Sequence, residues 1–437
     1  MNKIKTLTLG VIALFCATAL HAQTEVYITG STAFRSAASN AILHLYDAVP
    51  AVQIAFSNNS GTFQGANQVI YDGNISASHV IVHTSWSGSE AGIQTVADAT
   101  QMVNFLPDST CPTNCSANPG TSVAAGSDAH HPDVAFSDTF QSTSTFKGTF
   151  NGVTYANLTE SPGTSAGHGS PVGVVVFKWC ASSNATFTNI TSQMVRQLYA
   201  NGKAPLALFT GLNADETKPV VALGRNPDSG TRLTSFAETG VGALAGVKQY
   251  QPQDSTAAVV KTTTGTISQF SAWPAETING IAFSTFNSGY SSGGDLSKAM
   301  RAVTTDPVAI NGDANSPFTA ANLVRIAYLG TGDADTNLLN AGIPSPGIEL
   351  SYNGVALGVF GDYNSATALL EGRYTFWGFE HVLYNNATIA AAVKSVADAL
   401  ATQIHDTDAT GQAVKLVNMK VTRTTDGSTV RNNYAAP

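Results

Sequence analysis

The chain has 437 residues and a formal net charge of −8, and only 11% of its residues are charged. This length exceeds what one hydrophobic core usually supports, so the sequence predicts two domains. An acidic chain without basic clusters is a poor match for nucleic acid, and we expect no nucleic-acid partner.

Residues 1–22 have the pattern of a signal peptide. Two lysines precede an apolar run from Leu7 to Leu20, and Ala22 is a small residue at the cleavage position. Phe15 before Cys16 argues against a lipid-attachment site, which requires a small residue there. No later segment is long and apolar enough for a membrane helix. We therefore expect a periplasmic or secreted protein that does not span a membrane.

Strand patterns alternate with helix patterns along the chain. Predicted strands lie at 25–29, 53–56, 79–83, 133–136, 172–179, 219–223, 281–286, 326–329 and 374–381, and predicted helices at 36–46, 191–200 and 387–404. This alternation predicts an α/β fold with a parallel or mixed sheet.

Three cysteines remain after residue 22. Cys111 and Cys115 flank a short turn-rich segment, which favours a local disulfide in an oxidising compartment. The alternative is a metal site that also uses His130 and His131. Cys180 follows an apolar run and is expected to be a buried thiol. We favour the disulfide, and we expect neither a metal nor a cofactor.

The turn at 224–232 carries the strongest chemical signal. It follows the apolar run 219–223 and contains Arg225, Ser229, Gly230 and Thr231 directly before a helix pattern. A helix N-terminus presents unpaired N–H groups and the positive end of the helix dipole, which favours an anion. The alternative is an ordinary helix start with Asp228 or Ser229 as the N-cap.

Three earlier turns carry similar groups. Ser31 and Thr32 follow the first strand, Ser89 follows the strand at 79–83, and Asp138 follows the strand at 133–136. In open α/β sheets, ligands bind outside the carboxyl ends of the strands. The four turns together therefore indicate an anion site better than any one of them.

In this order the four turns resemble the motifs of the PstS-like periplasmic phosphate-binding proteins, which are substrate-binding proteins of ABC transporters. Segments 30–34, 88–93, 133–138 and 225–231 carry the resemblance. It implies a two-lobed type II periplasmic-binding-protein fold, in which each lobe is a mixed sheet flanked by helices and the ligand cleft lies between the lobes. The first lobe would comprise 23–170 and 370–437, and the second 171–369.

The resemblance also implies a ligand and its contacts. The ligand would be phosphate or a similar oxyanion, and the partner an ABC permease complex served by a monomeric binding protein. Asp138 would accept the proton of a protonated phosphate, and Arg225 would supply positive charge. The remaining contacts would come from Ser31, Thr32, Ser89, Ser229, Gly230 and Thr231.

The chain departs from the family pattern at two acidic residues. Asp228 directly precedes Ser229, and Pro227 occupies the position of the family's aspartate. Asp228 could therefore cap the helix or orient Arg225, and the sequence leaves both alternatives open. Glu90 lies inside the second motif, where a carboxylate would repel an anion, so we expect it to face solvent.

Two other functional classes remain as alternatives. The segments 163–167 and 289–293 match the Gly-x-Ser-x-Gly pattern of serine hydrolases, with Ser291 as the better candidate nucleophile. No histidine partner can be assigned to Ser291, and we expect a binding protein and not an enzyme. An extracellular surface or matrix protein that reuses the two-lobed fold is the remaining alternative.

Overall fold

A computed structural model describes residues 23–161 and 171–433. The predicted signal peptide and the Gly-x-Ser-x-Gly match at 163–167 lie outside the described residues. Across the two described ranges, none of the helices combines the length and the hydropathy that a membrane crossing requires.

Three of the α-helices begin at a Ser or Thr whose hydroxyl caps the helix N-terminus. In one example, the Thr191 hydroxyl accepts a hydrogen bond from the Met194 N–H at 3.2 Å, and Gly202 ends the same helix in the left-handed conformation. The α-helices are Arg35–Leu45, Ser89–Ala97, Thr110–Thr113, Ser192–Asn201, Ala207–Thr210, Gly230–Thr239, Gly293–Arg301, Thr331–Ala334, Thr367–Leu370 and Ala391–Gln403.

One large sheet contains both parallel and antiparallel pairs. In spatial order its strands are Lys203–Pro205, Pro219–Ala222, Val324–Gly330, Gly173–Ala181, Trp377–Tyr384, Val134–Ser137, Thr24–Gly30, Ser78–Trp86, Gln68–Ile75, Gln53–Ser57 and Ser116–Ala117. Short strands extend it at Thr121–Val123, Thr159–Glu160, Asn189–Ile190, Ile348–Tyr352 and Ala413–Val414. The prediction of a mixed sheet flanked by helices is confirmed.

Smaller sheets lie outside the large one. They pair Val103–Phe105 with Asp128–His130, Gly148–Phe150 with Val153–Tyr155, Glu276–Ile278 with Ile281–Phe283, and Val421–Thr422 with Arg431–Asn432. A three-stranded sheet contains Tyr250–Gln253, Thr266–Ala272 and Val303–Ile310.

Two buried strands, Gly173–Ala181 and Trp377–Tyr384, join the two halves of the large sheet, and we call them the crossing strands. Residues 173–176 of the first pair with the second crossing strand, whereas residues 177–181 pair with Val324–Gly330. The partner therefore changes between Val176 and Phe177, which divides the sheet into two halves. The exact lobe boundaries at 170/171 and 369/370 stay a prediction.

In the first half of the sheet, three parallel strands end at one edge. Thr24–Gly30 lies between Ser78–Trp86 and Val134–Ser137 and is parallel to both. Gly30 has a φ of +118°, and a Cβ at this position would lie 2.0 Å from the Phe136 carbonyl oxygen. Only glycine permits this close approach, which brings the turns after the three strands together.

The second half of the sheet repeats this arrangement with two parallel strands. Pro219–Ala222 runs parallel to Val324–Gly330. The helix Gly230–Thr239 follows the first strand, and the short helix Thr331–Ala334 follows the second directly. Residues after both strands are therefore placed at the same edge of this half.

Sequence reasoning missed the strand Gln68–Ile75, because polar residues interrupt its apolar pattern. It forms a hairpin with Ser78–Trp86 through Ser76 and Ala77, which both have positive φ although neither is glycine. The strand predicted at 281–286 is shorter than expected, since Ile281–Phe283 belongs to a separate two-stranded hairpin.

Lys178 on the first crossing strand is completely buried. Its Nζ lies 3.0 Å from Asp335 Oδ1 and 2.6 Å from Glu349 Oε2. Burial alone would lower the pKa of Lys178, but the carboxylates of Glu349 and Asp335 raise it above its ordinary value. The cation therefore stays charged and links the crossing strand to two neighbouring segments.

We predict that Lys178→Met lowers the free energy of unfolding by about 3–5 kcal/mol, because it leaves the buried carboxylate of Asp335 and the half-buried one of Glu349 without their cation. Urea unfolding followed by circular dichroism measures the loss. Lys420→Met is the matched control, since Lys420 forms an exposed pair with Glu371 and should cost far less. Equal losses in the two variants would contradict the prediction.

Candidate functional site

The turn at 224–232 leads into the helix Gly230–Thr239, which we call the anion-turn helix. Ser229 is its N-cap, and the Ser229 hydroxyl accepts a hydrogen bond from the Arg232 N–H at 3.2 Å. The Asp228 carboxylate accepts a hydrogen bond from the Asn279 side chain. Among the described residues it neither caps the helix nor forms an ion pair with Arg225. Ser229 thus accounts for the local helix start.

Ser89 and Asp138 meet at the carboxyl edge of the first half of the sheet. The Ser89 hydroxyl donates to Asp138 Oδ1, and the Asp138 N–H lies 3.2 Å from the Ser89 oxygen. Both residues are buried. The two turns that carry them therefore form one hydrogen-bonded unit.

The Asp138 carboxylate reaches across to the second half of the sheet. Thr231 Oγ1 donates to Asp138 Oδ2 at 3.2 Å, and Thr234 Oγ1 donates to the Asp138 carbonyl at 3.0 Å. A Cβ on Gly230 would lie 1.6 Å from Asp138 Oδ1, so only glycine allows this approach. A carboxylate is thereby placed against the N-terminus of the anion-turn helix, where an anion is stabilised.

Burial raises the pKa of Asp138 above its ordinary value. The Ser89 hydroxyl, the positive charge of Arg225 and the Thr231 hydroxyl act in the opposite direction and favour the carboxylate. The site thus balances the cost of desolvating a negative charge against donors that are directed at it.

Arg225 is buried and is held by main-chain oxygens. Its Nε donates to the Tyr290 carbonyl at 3.0 Å, and its Nη2 donates to the Ser291 carbonyl at 2.9 Å. Nη2 also lies 3.4 Å from Thr32 Oγ1 in the first half of the sheet. Burial lowers the pKa of Arg225, and among the nearby charges Asp333 opposes this shift most strongly.

The turn after the first strand contributes Ser31 and Thr32. The Ser31 N–H donates to the Phe136 carbonyl at 2.9 Å, which fixes the turn against the strand that leads to Asp138. Thr32 faces Arg225 as described above. Thr32, Ser89, Asp138, Arg225, Gly230 and Thr231 are therefore brought together across the interface between the two halves. Ser31 and Ser229 adjoin them in sequence, with Ser31 held against Phe136 and Ser229 as the helix cap.

Sequence reasoning missed Glu380, on the second crossing strand. Its carboxyl is fully buried near the Ser31 hydroxyl, and within the described residues neither group makes a hydrogen bond of good geometry. Burial raises the pKa of Glu380 well above its ordinary value, and the charge of Asp138 raises it further. The buried environment therefore favours the neutral form of the Glu380 carboxyl. The sequence signal was a lone acidic residue inside an apolar strand.

The expectation that Glu90 faces solvent is wrong. Glu90 is buried, and its Oε2 accepts from the Ser144 hydroxyl at 2.9 Å and the Thr145 N–H at 3.3 Å. The Glu90 N–H donates to the Asp228 carbonyl at 3.1 Å, so this residue contacts the second half of the sheet. Oε2 of Glu90 therefore has two hydrogen-bond donors, whereas Oε1 is buried without a partner among the described residues.

Two cavities flank this interface. The first, of about 250 Å³, is mostly apolar and is bounded by Glu90, Asp228, Phe146 and Ile281 among others. The second, which we call the polar groove, has about 490 Å³. Its lining includes Thr32, Arg35, Asn59, Ser60, Thr62, Gln64, Asn67, Ser292, Asp295, Lys298, Asp333, Thr336, Asn337 and Gln412.

The remaining candidates have local structural roles. Cys111 and Cys115 form a disulfide, and Cys180 is a buried free thiol. Over 23–161 and 171–433, no group of three or more metal-ligating side chains is arranged to hold an ion. Ser291 lies in a loop, where its carbonyl accepts from Arg225.

The chain is similar in structure to solved proteins of the class that its four motifs resemble. A protein assigned as a phosphate ABC transporter substrate-binding protein, from Clostridium perfringens with bound phosphate, is 12% identical, with a TM-score of 0.39 and coverage of 89% of this chain and 99% of its own. An ABC-type phosphate transport receptor from Vibrio cholerae is 10% identical, with a TM-score of 0.35 and coverage of 86% and 93%.

PstS from Borrelia burgdorferi is 12% identical, with a TM-score of 0.34 and coverage of 90% of this chain and 99% of its own. No protein-family model and no curated protein matches the chain. All three TM-scores lie below 0.5, so these similarities assign no ligand and no site residue to this chain.

We predict that Glu90→Gln flattens the dependence of stability on pH between about 4.5 and 8. Burial raises the pKa of Glu90 to about 8, whereas an unfolded glutamate titrates near 4.3. Between these values the unfolded chain releases a proton that the folded chain keeps. Stability therefore falls as pH rises, by up to about 1.4 kcal/mol per pH unit for this group.

Urea unfolding at pH 5, 6, 7 and 8 measures this slope. In Glu90→Gln the fall of the unfolding free energy with pH should be smaller by up to about 1.4 kcal/mol per pH unit. At pH 8 the variant should be more stable than the wild type. Glu216→Gln, at an exposed glutamate, is the control and should leave the slope unchanged. A wild-type slope retained in Glu90→Gln would show that Glu90 ionises freely in the folded protein.

Proposed function

We propose that this protein binds phosphate, as the protonated oxyanion, between the two halves of its sheet and serves as a secreted solute receptor for an ABC transporter. The observation that carries the proposal is the Asp138 carboxylate, which is bound by the Ser89 and Thr231 hydroxyls at the N-terminus of the anion-turn helix. The Ser89 and Thr231 hydroxyls already donate to the carboxylate of Asp138, and the same hydroxyls would donate to the oxygens of a tetrahedral anion.

In the proposed complex the phosphate oxygens accept from the N–H groups of Gly230 and Thr231 and from the hydroxyls of Thr32 and Ser89. These groups lie on both halves, so one ligand would bridge them. Arg225 supplies the positive charge, and its guanidinium is oriented by hydrogen bonds to main-chain oxygens, with Asp333 as the nearby carboxylate that acts on it most strongly. A dehydrated anion needs such pairing, because each unpaired polar group costs free energy.

Asp138 would provide selectivity among oxyanions. An ionised carboxylate only accepts hydrogen bonds, so the bound anion must bring a proton to it. Phosphate carries at least one proton near neutral pH, whereas sulfate carries none. Sulfate would place two acceptors against each other and is therefore disfavoured.

Ligand exchange would require the two halves to separate. The contacts that close the interface include Thr231 with Asp138, and the Glu90 N–H with the Asp228 carbonyl. The first crossing strand changes partner between Val176 and Phe177, which is the natural hinge for such a motion. Opening there would expose the anion-turn helix to solvent.

The proposed location follows from two features. Residues 1–22 have a signal-peptide pattern, and the disulfide between Cys111 and Cys115 suits an oxidising compartment. A binding role, as opposed to catalysis, agrees with the site. Ser291 contributes its carbonyl there, and no histidine in the described residues hydrogen-bonds to it.

Isothermal titration of phosphate-stripped mature protein tests the proposal. We expect phosphate to bind and sulfate not to bind at neutral pH. Asp138→Ala and Arg225→Ala should each weaken phosphate binding about 10- to 100-fold, because each removes a charge-assisted interaction. Arg373→Ala, at an exposed arginine, is the control and should leave the affinity unchanged.

Circular dichroism confirms the folding of each variant before titration. Folded wild-type protein that binds neither anion would overturn the proposal. Phosphate binding that persists in Asp138→Ala and Arg225→Ala would place the ligand elsewhere.

A further inference from the structure

The polar groove begins at the proposed phosphate site. Thr32 lines the groove and also faces Arg225, whose Nη2 lies 3.4 Å from its hydroxyl oxygen. A phosphoryl group that contacts both residues would have the groove beside it. The groove has about 490 Å³, which is within the usual size of small-molecule sites and more than one phosphate needs.

The groove is formed by both halves of the sheet. Arg35 and the segment 59–67 line it from the first half, and the start of the helix Gly293–Arg301 and the segment 332–337 line it from the second. A ligand in the groove would therefore contact the two surfaces that closure brings together, as the phosphate itself would.

The charges in the groove balance. Arg35 and Lys298 are cationic, and Asp295 and Asp333 are anionic. Arg35 donates to the Asn67 side chain at 2.8 Å, and within the described residues none of the four charged side chains forms an ion pair. Arg35 and Lys298 nevertheless act electrostatically on Asp333, so the opposite charges of the groove compensate one another.

The rest of the lining consists mainly of neutral amide and hydroxyl side chains. A lining with no net charge and many neutral hydrogen-bonding groups suits an uncharged polar substituent. It offers no excess positive charge to a second phosphoryl group, because Asp295 and Asp333 offset Arg35 and Lys298. Nor does it suit an apolar substituent, which would leave these groups unpaired.

We propose that the polar groove binds the hydroxylated substituent of a phosphate monoester, so that the site takes a small polyol phosphate in preference to inorganic phosphate. This inference rests on the proposed function, because the phosphoryl group occupies the site at Arg225 and Thr32 and must be the singly protonated ester in order to donate to Asp138. The hydroxyl groups of the substituent would hydrogen-bond to the amide and charged side chains of the groove.

Titration calorimetry with glycerol 3-phosphate, inorganic phosphate and pyrophosphate tests the inference on the mature protein at about pH 6, where a large fraction of the monoester keeps the proton that Asp138 accepts. We expect glycerol 3-phosphate to bind at least tenfold more tightly than either of the other two. Thr336→Trp fills the groove from an exposed position that takes no part in the phosphate site. It should weaken glycerol 3-phosphate at least tenfold and leave inorganic phosphate unchanged, and Thr217→Trp, at an exposed position away from the groove, should change neither.

The outcomes separate this inference from the proposed function. Phosphate binding without a preference for glycerol 3-phosphate, or an equal effect of Thr336→Trp on both ligands, would overturn the inference and leave the proposed function standing. Preference for pyrophosphate would also overturn it. Folded protein that binds none of the three would overturn both.

Discussion

The arrangement of the site depends on one interaction, the placement of the Asp138 carboxylate between the hydroxyls of Ser89 and Thr231. Asp138 and Ser89 belong to the first half of the sheet. Thr231 lies in the first turn of the anion-turn helix, in the second half. A buried carboxylate needs donors on its oxygens, and the helix N-terminus adds a favourable dipole. Glycine at position 230 is what lets the two halves approach this closely.

Other acidic groups lie near the same contact at the interface. Glu90 and Asp228 lie beside it, and burial raises their pKa values to about 8 and about 7. Glu380 lies near Ser31, where burial raises its pKa well above the ordinary value. At neutral pH these groups carry less negative charge than their number suggests, which reduces their repulsion of an anion. Arg225 then provides the dominant charge at the centre of the interface.

Much of this arrangement could be predicted from local sequence. Parallel strands followed by hydroxyl- or carboxylate-bearing turns placed Ser89 and Asp138 at one edge, because strand ends follow from the apolar pattern. Glu90 could not be placed in the same way, since its donors at Ser144 and Thr145 come from a distant loop. Glu380 shows the same limit, because a lone acid in an apolar strand gives no sign of which groups will surround it.

A crystal structure of the mature protein grown with phosphate tests the central claim most directly. We predict phosphate oxygens within hydrogen-bonding distance of the Gly230 and Thr231 N–H groups and of the Ser89 hydroxyl, with the Asp138 carboxylate turned to accept the phosphate proton. A phosphate bound elsewhere, with Asp138 still hydrogen-bonded to Ser89 and Thr231, would contradict the claim that Asp138 and the ligand share these donors.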